Sequence, residues 1–200
     1  MKMMAVKFTF DFDKALAAMV YIAGSGIQDL TKYKMCKLVF LADKYHLVRF
    51  SRTITGDRLC AMEHGPVPSE TLDLLNRLIV EDRTDGRVMA LDEHLSLDRA
   101  YQNPHLSARK QMDFEELLSQ SDLTALKETV KEHGSKSFDE LKALTHEMFA
   151  YKKAWSERMN NSPTIGYEDL FAEDSDAING ALEDMIEDDQ LRKAFGGGTF

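Results

Sequence analysis

The residues most suggestive of metal chemistry are His146 and Glu147, which begin the zinc-binding pattern His-Glu-x-x-His. In that pattern two histidines one helical turn apart bind the ion, so a second histidine is required at position 150. The chain has Ala150 there instead. The other histidines, at positions 46, 64, 94, 105 and 133, show no metal-type spacing, and no cysteine pair accompanies them. The sequence therefore predicts no metal site, and it offers no cofactor-binding motif.

Candidate nucleophiles are equally isolated. Gly24-Ser25-Gly26 lacks both the Gly-x-Ser-x-Gly pattern of a nucleophile elbow and the lysine of a phosphate-binding loop, so it predicts a turn. Cys36 and Cys60 fit no Cys-x-x-Cys pattern and stand among apolar residues, which predicts two free, buried thiols. We therefore expect no catalytic residue and a protein that is not an enzyme. A site assembled from residues distant in the sequence stays an open alternative.

Charge is distributed unevenly along the chain. The net charge is −9, and ten acidic residues with no Lys or Arg among them stand between Glu168 and Asp189, so the remainder is nearly neutral. Upstream, seven basic residues surround only Asp43 and Asp57; they are Lys32, Lys34, Lys37, Lys44, Arg49, Arg52 and Arg58.

This basic cluster has three interpretations. The cations could be solvated charges around a buried helix, with the stems of Lys34 and Lys37 packed and their amines at the rim. They could dock an acidic partner or the chain's own acidic segment. They could also contact nucleic-acid phosphates, although the pI of about 5.2 argues against nucleic acid.

Composition indicates a globular protein. Apolar residues make up 44% and charged residues 30% of the chain, with only 11 Gly and 4 Pro, as expected for regular elements around a core. The sequence begins with no apolar stretch typical of a signal peptide. Its longest apolar run, Ala15 to Ala23, is far shorter than a membrane helix. We therefore expect a cytoplasmic protein without membrane contact.

Apolar spacing predicts the helices. Residues 12–23 have apolar positions on one helical face, and residues 31–50 are apolar on most sides, as is typical of a central buried helix. Ser69 is a candidate N-cap for a helix through residue 80, and the capping box Ser137-x-x-Glu140 begins a helix through residue 155. Further helices are predicted at 121–132 and, with acidic residues, at 175–195.

The β-structure is predicted from turn residues and short apolar runs. Residues 53–63 suit a hairpin, and the two prolines of His64-Gly65-Pro66-Val67-Pro68 indicate a rigid corner after it. Residues 87–97 suggest two more short strands, and 102–108 suggest a loop.

Together these elements predict a mainly α fold: a helical domain around one buried central helix, with a small antiparallel hairpin. We expect the domain to span residues 1–165. An acidic helical segment at 166–195 would pack on or extend it, followed by a disordered tail at 196–200.

Two motifs carry a family resemblance. The first is Lys34-x-x-Lys37-Leu38-x-Phe40-x-Ala42 followed, after a predicted strand, by Gly65-Pro66-Val67-Pro68. The second is Leu141-x-x-x-Thr145-His146, with Trp155 after it. Over residues 12–155 the chain resembles the Panacea antitoxin domain, also called SocA-like and phage-associated. It departs from the family pattern at Met62, where an aromatic residue is usual, and in the close spacing of Pro66 and Pro68.

The resemblance implies an antitoxin that neutralises a cognate protein toxin by direct contact. Family members are encoded in bacteria, often in prophages beside a toxin gene, and one is an adaptor that delivers its toxin to a AAA+ protease. The motif residues are then expected to shape the fold. They are Lys34, Lys37, Leu38, Phe40, Ala42, Gly65 to Pro68, Thr145, His146 and Trp155.

The contact surface is predicted on the exposed edge of the central helix and the hairpin, at Arg49, Arg52, Arg58 and His64. The acidic segment, with Glu183, Asp184 and Glu187, is the second candidate surface. The alternative function is a DNA-binding transcriptional regulator in which the hairpin acts like the wing of a winged helix. Salt-dependent DNA binding distinguishes the two.

Overall fold

The computed structural model describes residues 8–110 and 112–171. Eight α-helices, two antiparallel β-hairpins and one 3-10 helix make up this part of the chain, so the fold is mainly α, as predicted. The elements are α1 (Phe12–Ala23), α2 (Lys32–Phe50), β1 (Leu59–Met62), β2 (Gly65–Pro68), α3 (Ser69–Ile79), α4 (Gly86–His94), β3 (Leu95–Asp98), β4 (His105–Ala108), α5 (Phe114–Leu117), α6 (Gln120–His133), α7 (Phe138–His146), α8 (Phe149–Ser156) and the 3-10 helix Tyr167–Phe171.

Helix α2 is the centre of the fold. The Thr31 side chain caps its first turn by accepting from the Lys34 amide. Twelve of its 19 residues are buried, the largest number in any described helix, and it packs against α1, α3, α6, α7 and β2. The predicted central helix is therefore confirmed. Helix α1, with eight of 12 residues buried, also packs against it.

The predicted hairpin at 53–63 is placed wrongly. Strand β1 pairs with β2, so the Gly-Pro-Val-Pro segment is the second strand of the hairpin rather than a corner after it. Pro66 and Pro68 stand opposite Ala61 and Leu59. Ala61 and Leu59 form their backbone hydrogen bonds on the side away from β2, with Pro163 and Ile165. The two prolines therefore face positions where the ladder needs no N–H donor, and their missing N–H groups break no bond between the strands.

Helix α3 does not use Ser69 as its N-cap, which corrects that prediction. The cap position is Pro68, which offers no side-chain acceptor. The buried carboxylate of Asp57 replaces it from outside the helix, accepting from the amides of Glu70 and Thr71 at 2.8 Å each. Because Asp57 lies well before the helix in sequence, its capping role depends on tertiary structure.

The segment 87–97 is mainly helix, not two strands. Asp85 caps α4 by accepting from the Arg87 amide at 2.8 Å, and Val88 and Leu91 bury the inner face. Strand β3 follows and pairs with β4, so the loop predicted at 102–108 is confirmed at 102–104 and wrong at 105–108. Leu106 is buried there and its amide donates to Leu30.

The second half is helical, with one correction. Helix α6 begins after a capping box formed by Ser119 and Asp122, close to the predicted bounds. The capping box of Ser137 and Glu140 is confirmed at the start of α7. The single helix predicted to residue 155 is instead two, because the extended backbone at Met148 separates α7 from α8.

Tyr167, Leu170 and Phe171 of the 3-10 helix are buried in the same apolar core as α2. The predicted acidic helix at 175–195 and the tail at 196–200 lie outside the described residues. Cys36 and Cys60 are free and buried, as predicted. Across residues 8–110 and 112–171, no helix is both long and apolar enough to cross a membrane.

Candidate functional site

Lys34 and Lys37, predicted as rim charges, are both buried to 1% exposure. Lys34 bonds to Asp29 with an Nζ to Oδ1 distance of 2.5 Å. Burial opposes ionisation of Asp29, but the hydrogen bond and charge of Lys34 outweigh it and lower the pKa of that carboxyl. The rim prediction was wrong because helix α2 is covered on almost every side.

Lys37 is bound to the hairpin. Its Nζ donates to the carbonyl of Pro66 at 2.7 Å. Burial lowers the pKa of the Lys37 amine to about 7, and the nearby charge of Lys142 acts in the same direction. The side chain therefore acts as a neutral or readily neutralised donor that fixes β2 against α2.

Gly65 is the point where the motif segments meet. Its φ of +98° lies in the left-handed region, and a Cβ atom there would lie 2.7 Å from Lys37 Nζ, 2.9 Å from Thr145 Oγ1 and 3.0 Å from His146 Cδ2. Two segments distant in sequence, α2 and α7, therefore converge on the Gly65 backbone, which explains why the motif places a glycine there.

A ladder of rings extends from this point along α8. The ring of His146 stacks on Tyr151 at 4.5 Å, and Tyr151 stacks on Trp155 at 6.0 Å between centroids. The Tyr151 hydroxyl donates to the Met62 carbonyl at 3.0 Å. The hairpin turn is thus held from α2 on one side and from α8 on the other.

A groove of about 650 Å³ opens beside this turn. We call it the hairpin groove. It combines aromatic rings, aliphatic side chains and cations, and its lining is Lys32, Tyr33, Met62, Glu63, His64, Val67, Leu72, Asn76, Trp155, Arg158 and Asn161. Two cations lie over ring faces: Lys32 over Tyr33 at 4.8 Å and Arg158 over Trp155 at 4.2 Å.

A second groove, of about 300 Å³, lies along α2 beside α6 and α7. We call it the helical groove; its lining is Leu41, Lys44, Tyr45, Val48, Arg49, Thr129, Glu132, His133, Leu144 and Met148. The Arg49 guanidinium lies 4.3 Å from the centroid of the Tyr45 ring. Burial lowers the pKa of His133, which favours its neutral form.

The four residues predicted as a contact surface are not brought to one place. His64 lines the hairpin groove and Arg49 the helical groove. Arg58 donates to the Ser69 hydroxyl at 2.7 Å. The predicted second surface, Glu183, Asp184 and Glu187, lies outside the described residues.

Arg52 instead belongs to an internal charge cluster. Its Nη1 lies 2.9 Å from the fully buried carboxylate of Asp122, which Lys14 and His46 also approach, at 3.0 and 3.1 Å. This cluster joins α1, α2 and α6, and the partly exposed Arg52 side chain ties the end of α2 to α6 within it.

Sequence reasoning missed Tyr33, Arg158 and Asp122. Trp155 and Arg158 stand only three residues apart, which was a signal in the sequence, although Arg158 lies beyond the end of α8 at Ser156. The spacing of Ser119 and Asp122 indicates a capping box, but no local pattern brings Lys14, His46 and Arg52 to Asp122 or places Tyr33 in a groove with Trp155.

Comparison with known proteins identifies the family. The family model "Antitoxin SocA-like, Panacea domain" matches residues 35–156, more than half of the chain. The chain therefore belongs to this family, which confirms the resemblance indicated by the two motifs. No curated protein and no solved structure matches it.

The matched region contains nearly all of α2, both hairpins, α7 and α8, and hence the convergence at Gly65 and most of the hairpin groove's walls up to Trp155. Because the family is one of antitoxins, membership indicates an antitoxin role in general terms, with a toxin as the partner.

Proposed function

We propose that this protein is an antitoxin that neutralises a co-encoded protein toxin by binding it directly in a stoichiometric complex. The observation that carries the proposal is the match of the SocA-like Panacea family to residues 35–156. We assign the contact surface to the hairpin groove, because two family motif residues, Val67 and Trp155, line it.

The composition of the hairpin groove supports this assignment. Trp, Tyr and Arg dominate the energetic hot spots of protein interfaces, and the groove presents Trp155, Tyr33 and Arg158 together. The groove is also rigid, since Lys37 and Tyr151 both bond the hairpin backbone. A surface that is ordered before binding loses less conformational entropy when the partner arrives.

The DNA-binding alternative receives less support from the arrangement. All four residues of β2 are buried, so the hairpin does not project like a wing. Lys34 and Lys37 are buried as well, which removes two of the seven cations offered for phosphate contact.

The test is co-expression with the adjacent gene. We expect the neighbour to arrest growth when expressed alone, and this chain to restore growth and to co-purify with it at a fixed ratio. A harmless neighbour, or rescue without a complex, contradicts the proposal. In that case a titration of duplex DNA at several salt concentrations examines the regulator alternative.

Neutralisation by masking and neutralisation by delivery to a AAA+ protease differ in one measurable quantity. We propose masking as the sufficient step, with delivery as an addition in some hosts. Growth rescue and the toxin's half-life, each measured with the antitoxin in cells with and without the ATP-dependent proteases, separate the two: masking predicts rescue in both, and delivery predicts a shortened half-life and rescue only where the proteases are present.

A further inference from the structure

Two cations of the hairpin groove have only uncharged hydrogen-bond partners within the described part of the chain. Lys32 Nζ donates to the Asn76 amide oxygen at 2.7 Å, and Arg158 Nη1 donates to the Trp155 carbonyl at 2.6 Å. Each cation also lies over a ring face, that of Tyr33 for Lys32 and that of Trp155 for Arg158.

Three exposed cations elsewhere on the surface are bonded to carboxylates instead. Arg83 is 2.6 Å from Asp92, Arg99 is 2.9 Å from Glu81, and Lys152 is 2.6 Å from Glu147. Unlike these three cations, Lys32 and Arg158 have no carboxylate bonded to them among the described residues, and both line the same groove.

The groove's own lining does not neutralise these charges. Lys32, His64 and Arg158 face a single carboxylate among the described lining residues, that of Glu63. Beside them, Val67 and Leu72 provide an apolar wall and Trp155 a large ring. Such a groove is complementary to alternating acidic and apolar side chains.

We propose that the hairpin groove binds an acidic segment of the toxin, with carboxylates bonding Lys32 and Arg158 and an apolar side chain packed between them. The inference rests on the proposed function and specifies the chemistry of its partner. Carboxylate and guanidinium groups form paired hydrogen bonds of defined geometry, so Arg158 sets the register of the segment as well as attracting it.

The experiment measures the affinity of the purified full chain for the purified product of the adjacent gene. The variants are Lys32→Glu and Arg158→Glu, and the matched control is Lys127→Glu, which makes the same charge change at an exposed position of α6. We expect each groove variant to weaken binding roughly tenfold or more and the control to change it less than about twofold. Unchanged melting temperatures verify that the variants are folded.

The outcomes separate the two proposals. If the wild-type chain forms no complex, the proposed function fails. If a complex forms with equal affinity for all variants, or if Lys127→Glu weakens it as much as Arg158→Glu, the function stands and the acidic-segment inference is overturned. Recovery of Arg158→Glu binding by an acidic-to-lysine change in the toxin supports the inference directly.

A synthetic probe tests the groove even without a toxin. A labelled peptide alternating Glu with Leu and Phe, and its counterpart with Gln in place of Glu, are titrated against the wild type and Arg158→Glu. Tighter binding of the acidic peptide, lost in the variant, supports the inference. Equal binding of the two peptides overturns it.

Two other occupants are distinguishable. If neutralising Glu183, Asp184 and Glu187 by amide substitution in the full chain strengthens peptide binding, the chain's own acidic segment occupies the groove. If Arg158→Glu abolishes a salt-sensitive dimer in sedimentation, a second copy does. Either result overturns the assignment to the toxin.

Discussion

At the scale of single residues, Gly65 combines a left-handed backbone with close packing on three side chains. We predict that Gly65→Ala destabilises the fold by about 3 kcal/mol or more, through both the backbone conformation and the contacts at 2.7–3.0 Å. Gly26 is a matched control, because its φ is +79° but a Cβ atom added there would meet no other atom within 4 Å. Gly26→Ala should cost about 1 kcal/mol. Equal losses in urea unfolding would show that the contacts at Gly65 contribute nothing.

Lys37 gives a prediction about pH. Burial lowers the folded-state pKa of its amine from 10.5 to about 7, so between these values the unfolded chain binds more protons than the folded one. Stability contributed by this group therefore rises as pH increases from 7 toward 10.5. We expect the free energy of unfolding of the wild type, minus that of Lys37→Met, to increase across this window.

The comparison with Lys37→Met cancels the titration of groups that do not interact with Lys37. The Cys36 thiol, whose pKa burial raises to about 12, does interact with Lys37, so both proteins carry Cys36→Ala. Urea unfolding in buffers across that range measures the difference. A pH-independent difference would mean that Lys37 remains charged in the folded state.

At the scale of elements, α3 depends on a capping residue outside the helix. Asp57 accepts from two first-turn amides and from the Thr71 hydroxyl, all at 2.8 Å. Asp57→Ala should therefore cost about 2–4 kcal/mol, since it leaves buried donors without an acceptor. Asp73→Ala, which removes an exposed acid on the same helix, is the control and should change stability by less than about 0.5 kcal/mol. Similar melting temperatures for the two variants would refute the capping role.

Pro66 tests whether the hairpin motif acts through folding. Its ring lies on buried β2, opposite Ala61, at a position that needs no donor. We expect Pro66→Ala to lower the melting temperature by an amount equivalent to about 1 kcal/mol, because the unfolded chain gains freedom. Toxin neutralisation should persist below that temperature. An unchanged melting temperature with lost neutralisation would place Pro66 in the contact surface instead.

At the scale of the whole molecule, the hairpin groove and the helical groove are separate surfaces with different linings. Charge reversal in one groove and in the other is therefore expected to affect growth rescue differently. We expect Arg158→Glu, in the hairpin groove, to abolish growth rescue while Arg49→Glu, in the helical groove, retains it. The change in charge is the same in both, so net charge cannot explain a difference. The reverse pattern in a co-expression growth assay would move the contact surface to the helical groove.

The local elements of this fold are readable from sequence. Helix α1 has its predicted bounds, and the capping box of Ser137 and Glu140 begins α7 where expected, because neighbours within one turn dictate both. The central position of α2 was also predictable, since an all-round apolar pattern leaves no face for solvent.

The candidate site was less predictable. The motif residues Gly65, Thr145 and His146 were identified by resemblance, but their meeting around Lys37 was not. The sequence analysis placed the lysine amines at the surface because of their residue type. Lys34 and Lys37 are instead buried, where they donate to the Asp29 carboxylate and the Pro66 carbonyl.

The sequence by itself determined the mainly α fold, the family and the absence of a familiar catalytic motif. Tertiary structure decided that Gly-Pro-Val-Pro pairs with β1, that β3 pairs with β4, and that Asp57 caps α3. Helical periodicity and capping boxes depend on residues within a turn of each other, whereas strand partners, caps from outside a helix and the burial of cations depend on groups more distant along the chain. Only folding brings those groups together, and the hairpin groove is assembled from segments that meet in this way.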